Sequence, residues 1–194
     1  MPERVKEIDR QFERQLANFT TANANRITFN LGRPSFKVRS AGVADKTIRL
    51  YGNKLMAKMM RHGFRKEEVS GLTKAVRNPI AVFKNLERDG AYSVLTTLKT
   101  RDGNFLIALD LGKGVDADVN MVSSVFGKES SSIVTWINKG YLRYVDKKKA
   151  LNYLHSVAPI ATASDNQGLI SATKIVNTFR NTNFSNKILS NAVQ

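Results

Sequence analysis

Cysteine is missing altogether from this 194-residue chain, and histidine and tryptophan nearly so, with 2 and 1 copies. The missing thiols exclude disulfides, thiolate metal sites and cysteine nucleophiles, and they leave the redox compartment open. Acidic residues are scarce as well: 16 Asp and Glu stand against 31 Lys and Arg, a formal net charge of +15. Such a surplus points to a polyanionic partner, RNA or DNA most simply and an anionic membrane surface less so. A basic surface that only keeps the chain soluble is the plainer alternative. No apolar run approaches the roughly twenty residues that span a bilayer. The charged opening, residues 1–14, lacks the apolar segment of a signal peptide. A cytoplasmic location is therefore expected, with delivery into a target cell as a further option. No His/Asp/Glu cluster has metal-ligand spacing and no Ser-His-Asp arrangement is visible. Gly112-Lys113-Gly114 lacks both the spacing and the following Ser/Thr helix of a phosphate loop. The expectation is a protein with no metal and no cofactor.

What the chain does have is enough apolar residue, 42%, for one sizeable core. Val5, Ile8, Phe12 and Leu16 recur at helical spacing in the charged opening, a thin stripe suited to packing on a neighbour. A polar stretch separates it from a strand candidate at 27–31, which Gly32-Arg33-Pro34-Ser35 breaks. A helix is expected over 52–62, stopped by Gly63. At about 100° per residue, Leu55, Met56, Met59 and Met60 share one arc of it and Lys54, Lys58 and Arg61 another. His62 falls on the border between them. A helical piece over 66–76 ends at Asn78-Pro79. Two apolar runs, 91–99 and 105–111, then flank Arg101-Asp102-Gly103-Asn104, and Asp-Gly between such runs is a strong hairpin signal. Ser123-Ser124-Val125-Phe126-Gly127-Lys128 reads as a turn. Residues 131–139 read as a Trp-bearing helix closed by Gly140, 142–145 as a basic strand, and 147–157 and 171–180 as helices with a small-residue loop between them. Helices followed by a meander with inserted helices give the α+β class. The expected organisation is an arm and linker (1–25), one main domain (26–187) and a flexible tail (188–194).

Ordered pieces across the chain carry a resemblance. They are Leu31-Gly32-Arg33-Pro34-Ser35, Ala41-Gly42-Val43-Ala44-Asp45, Arg61-His62-Gly63, Gly71-Leu72 and Asn78-Pro79-Ile80-Ala81-Val82-Phe83. After Val94-Leu95-Thr96 and Asp102-Gly103-Asn104 come Val119-Asn120, Ser124-Val125-Phe126-Gly127-Lys128, Trp136-Ile137-Asn138-Lys139-Gly140 and Leu142-Arg143-Tyr144-Val145-Asp146-Lys147. In order and spacing these resemble the C-terminal domain of phage MuF-like and polyvalent mobile-element proteins, grouped with the barnase, EndoU, colicin and RelE-like ribonuclease toxins. The resemblance implies a helical N-terminal half packed on a twisted four- to five-stranded antiparallel sheet with inserted helices. It also implies metal-independent RNA cleavage as a toxin activity, and with it an acidic immunity or inhibitor protein as partner. This chain departs from the pattern at Thr97, where relatives are expected to carry an acid, and at Phe126, where they carry Tyr before Gly-Lys.

Metal-free RNA cleavage needs a base for the 2′-OH, an acid for the leaving oxygen and donors for the charged phosphorane. His62 is the candidate acid or base: His titrates in the right range, and the resemblance matches it to a family histidine. Capping the last helical turn is the bland alternative. His155 matches no family histidine and reads as a surface or packing residue. Asp110, the carboxylate nearest the centre of the expected sheet, is the substitute base, unless the site is altered or inactive. Arg143 offers a planar fork for phosphate. On a regular strand Arg143 and Tyr144 point to opposite faces, so only one can line a given cleft unless a bulge intervenes. Lys128 follows Gly127 at an expected turn where amides gather, and Ser124 there makes either a turn hydrogen bond or a phosphate contact. Lys54, Lys58 and Arg61 form a cationic stripe for RNA. Lys147, Lys148 and Lys149 open a helix whose dipole opposes them unless an anion is near, which suggests an RNA-backbone role beside the alternative of a solvated face. Trp136 reads as core. Two rivals to RNA cleavage stay open: a catalytically inactive binder of nucleic acid or protein, which Thr97 favours, and a structural phage component docked through the first helix.

Overall fold

The thin stripe of α1 (Glu3–Ala17) buries Phe12 and Leu16, and apart from buried Asp9 most of its charges face water. Arg10 and Arg14 pair with Glu3 and Glu7 there at 2.8 and 2.9 Å, exposed contacts worth little each. The computed structural model describes residues 3–100, 103–111, 119–128 and 130–157. The expected small-residue loop, the helix at 171–180 and the tail lie outside the described residues, as do the side chains of 154–157, His155 among them.

Among the described residues, seven strands form one sheet. They are β1 (Thr28–Asn30), β2 (Thr47–Tyr51), β3 (Ala81–Lys84), β4 (Ala91–Thr100), β5 (Gly103–Leu111), β6 (Val119–Lys128) and β7 (Leu142–Val145), in the order β1-β2-β6-β5-β4-β3-β7. The stretch β6-β5-β4-β3-β7 is antiparallel throughout, in keeping with the four- to five-stranded antiparallel sheet that the resemblance implies. Beyond it, β2 pairs with β6 in parallel and β1 closes the edge antiparallel to β2, so the sheet is larger than expected and mixed.

Three local expectations need correction. Ser123–Lys128 is strand, not turn: β6 pairs with β5 from Leu111↔Asn120 to Asn104↔Lys128, with an irregularity between Ala108 and Leu109. Pairing along a whole neighbour overrides the turn chemistry of Ser and Gly. In the β4–β5 hairpin Thr100 faces Gly103, so Gly103 belongs to the strand and not to the loop centre. The helix expected over 66–76 is split into a 3₁₀ turn (Lys66–Val69) and α4 (Leu72–Arg77), because Gly71 takes a positive φ of 76°. Glu13 of α1 supports that break, accepting from Gly71 N at 2.7 Å and from Ser70 Oγ at 2.9 Å.

Each sheet face carries a packed cluster. Ile48, Leu50, Val82, Tyr92, Val94 and Val122 join α1, α4 and α3 (Gly52–His62) in the larger core cluster. At its centre Phe12 and Phe19 each approach Phe29 to 5.3 Å between ring centroids. On the other face Ala81, Phe83 and Leu95 pack with α5 (Ser130–Asn138) and α6 (Lys147–Val157). Trp136 lies there edge-on to Phe83 at 5.5 Å, a packing residue as its helical neighbours indicate. Helix α3 stops where expected, at Gly63 with φ 64°. Its apolar arc buries Leu55 completely but leaves Met60 75% exposed, outside the arc expected to hold it.

Candidate functional site

Two groups of expected site residues come together, in different places. The first is the outer face of α3, which packs on β6 and β2. Lys54 and Arg61 are exposed there, Lys58 and His62 half-buried. Among the described residues, Lys54, Lys58 and Arg61 are paired with no carboxylate; Lys54 Nζ sits 6.0 Å from the ring centroid of Tyr51.

The second group lies at the opposite edge, on β7 and the start of α6. β7 is four strands from β6, about 19 Å at ordinary strand spacing. Here α2 (Phe36–Arg39), the end of α4, β7 and α6 converge. Lys37 Nζ donates to Asn78 Oδ1 at 2.9 Å and to Asp146 Oδ2 at 3.3 Å. Lys149 donates its backbone N–H to Asp146 Oδ1 at 3.2 Å and its Nζ to the Asn78 carbonyl at 2.7 Å. Asp146 is thus the N-cap of α6 and the anion that relieves three lysines at a helix start.

The charge states follow from this arrangement. Burial opposes ionisation of Asp146, but the Lys149 amide and the Lys37 and Lys149 ammoniums outweigh it and hold its carboxyl below the usual range. Burial also works against the Lys37 ammonium; Tyr144 and Asp146 overcome it and raise its pKa. Lys149 goes the other way: burial lowers it, and the attraction of Asp146, offset by repulsion from Lys37, does not restore it. Tyr144 is raised by burial and by Asp146, against Lys37.

Arg143 occupies a bulge. Phe83 faces Leu142 and Val82 faces Tyr144, so Arg143 is the extra residue. Both Arg143 and Tyr144 are half-buried, and strict alternation no longer separates them. Tyr144 packs against the larger core cluster; burial and Asp89 raise the Tyr92 phenol of the same cluster, against the nearby Arg143 guanidinium. The Nη1 of Arg143 is engaged with the carbonyls of Gly140 (2.7 Å) and Leu142 (3.0 Å). Lys147 and Lys148 are exposed.

Asp110, Ser124 and Lys128 are placed by backbone only, and their side chains lie outside the described residues. Asp110 pairs with Ala91 on one side and Met121 on the other, Ser124 with Ala108, and Lys128 with Asn104 at the far end of β6. Sequence reasoning did not select Lys37, Asn78 or Asp146 for the site. An acid directly before Lys147-Lys148-Lys149 is an N-cap signal and could have marked Asp146. Nothing local marks Lys37, whose partner is 109 residues away.

A mixed-sheet α+β fold with two cation-rich surfaces defines a small basic domain. The phage MuF C-terminal domain family matches residues 53–152, and the chain belongs to that family. It matches no curated protein and no solved structure significantly. The match begins in α3 and ends within α6, so it includes the α3 stripe and the β7–α6 part of the second surface and omits α1, β1, β2 and α2 with its Lys37. No helix among the described residues is long and apolar enough to cross a membrane, and no group of three metal-ligating side chains occurs among them.

Proposed function

We propose that this phage domain is a toxin-like effector that binds RNA along the outer face of α3 and cleaves it without metal. The observation that carries the proposal is the stripe of Lys54, Lys58 and Arg61, unpaired with carboxylates among the described residues and ending at half-buried His62. Phosphates lying along the stripe would bring a ribose to His62. His62 then takes the 2′-OH proton, or gives one to the leaving oxygen. The 2′-oxygen bonds to phosphorus, the P–O5′ bond breaks, and the products are a cyclic phosphate and a free 5′-OH. Asp110 is proposed for the other proton and Lys128 and Ser124 for the phosphorane, while Arg143, on β7 four strands from β6, is proposed for phosphates further along the RNA. An acidic inhibitor protein is the partner expected of such an effector.

The test is incubation of the protein with total RNA in excess EDTA beside His62→Ala. Cleavage by the parent, reduced about 100-fold or more in the variant, is the expected result for an acid–base group. Undiminished cleavage by the variant removes His62 from the chemistry. A second reading, RNA bound but left intact, draws on two observations: Arg143 Nη1 is committed to backbone carbonyls, and exposed Thr97 stands where an acid was expected. Retention of intact RNA by the parent in a filter-binding assay would favour it.

A further inference from the structure

The edge strands β1 and β2 have one face in the core and one in water. Phe29, Ile48 and Leu50 are buried to within 1% of completely. Their neighbours Thr28, Asn30 and Arg49 are exposed, and Tyr51 is half-buried. The register pairs Thr28 with Tyr51 and Asn30 with Arg49, so the four form a compact block on the outer face. No acidic residue occurs in β1, in β2 or in the first turn of α3. Among the described residues, neither Arg49 nor Lys54 pairs with a carboxylate. Lys54 Nζ lies at the Tyr51 ring, 6.0 Å from its centroid, which joins this face to the α3 stripe.

An aromatic ring at a strand end, flanked by cations and by Asn and Thr side chains, is a combination suited to unpaired nucleotides. The ring supplies a stacking surface and the cations meet phosphates; the Thr28 hydroxyl and the Nδ2 of Asn30, whose Oδ1 accepts from the Gly32 amide at 2.9 Å, reach base edges. Bases inside a duplex present no free face to such a ring. We propose that the outer face of β1 and β2 is a platform for single-stranded RNA, with one base stacked on Tyr51 and its flanking phosphates met by Arg49 and Lys54. This rests on the RNA-directed reading above and adds the substrate class, single-stranded over double-stranded.

The experiment measures the full chain binding a short ribose-methylated, uncleavable single strand and its duplex, by fluorescence anisotropy. Tyr51→Leu should weaken single-strand binding about tenfold or more and leave duplex binding within about twofold. Tyr51→Phe keeps the ring and should bind like the parent. Photocrosslinking of an iodouridine-containing strand to the unaltered chain should label Tyr51, an arm that does not depend on how well Tyr51→Leu folds. Equal losses for strand and duplex, unchanged binding by Tyr51→Leu, or crosslinks confined to other residues would overturn the platform alone. Failure of the parent to bind either RNA would overturn the RNA-directed reading with it.

Discussion

Removing the Asp146 carboxylate tests the joint between the N-terminal helices and the β7–α6 segment. Asp146→Ala loses an N-cap bond, generally worth about 1 kcal/mol, together with two ammonium contacts. The Lys37 contact is discounted for solvent screening because that side chain is 40% exposed. Three lysines are then left at the start of α6 without their anion, a further dipole cost of about 0.5 kcal/mol. The expected loss is about 2–3 kcal/mol in total, or about 5–10 °C in melting temperature for a chain of this size. Asp146→Asn keeps the cap acceptor and loses only the charge, so about half of that loss is expected. The pH dependence has a definite sign. The Asp146 carboxyl has a lower pKa folded than unfolded, so its stabilisation is complete above the ordinary carboxylate range and is lost as pH falls through the lowered value. Urea titrations of the three proteins at neutral pH and at about pH 3 should show the parent converging on Asp146→Asn in acid. If the two variants match the parent at neutral pH, the clamp is not a stabilising contact; a gap between parent and Asp146→Asn that does not narrow at all in acid would show that the carboxylate charge is not its source.

Three further outcomes follow from named contacts. Asp9 is 7% exposed and accepts from Arg77 Nη2 at 2.6 Å and Thr73 Oγ1 at 2.7 Å; Asp9→Ala strands a buried guanidinium and should cost about 3–5 kcal/mol by urea titration, partly recovered in Asp9→Leu with Arg77→Met. Gly42 has φ +99°, a Cβ there would stand 2.8 Å from Tyr92 Oη, and its carbonyl accepts from that hydroxyl at 2.9 Å; Gly42→Ala should lose about 1–3 kcal/mol, and a smaller loss in the Tyr92→Phe background would confirm that the hydroxyl is the obstacle. Replacing Lys54, Lys58 and Arg61 together with Gln should lower the slope of log affinity for single-stranded RNA against log salt by about 2, and an unchanged slope would place the RNA elsewhere.

The helices that carry their own signals were legible in consecutive residues. The stripe of α1, the glycine stop of α3, the apolar side of α5 and the cationic opening of α6 are local patterns, and all four helices form where those patterns lie. The pairing of β4 with β5 was equally legible, because two apolar runs joined by a short polar link have few other partners. The remaining features depend on contacts between distant residues. β6 is a strand because β5 and β2 supply its hydrogen bonds, which no local property of Ser123–Lys128 encodes. The break at Gly71 is held by Glu13, 58 residues away. The bulge that frees Arg143 and Tyr144 from strict alternation exists only in register with Val82 and Phe83. Lys37 meets Asp146 only once the sheet has brought α2 to the start of α6. Periodicity and turn chemistry are written in consecutive residues, whereas register, parallel pairing and convergent charges depend on residues that only the folded chain makes neighbours.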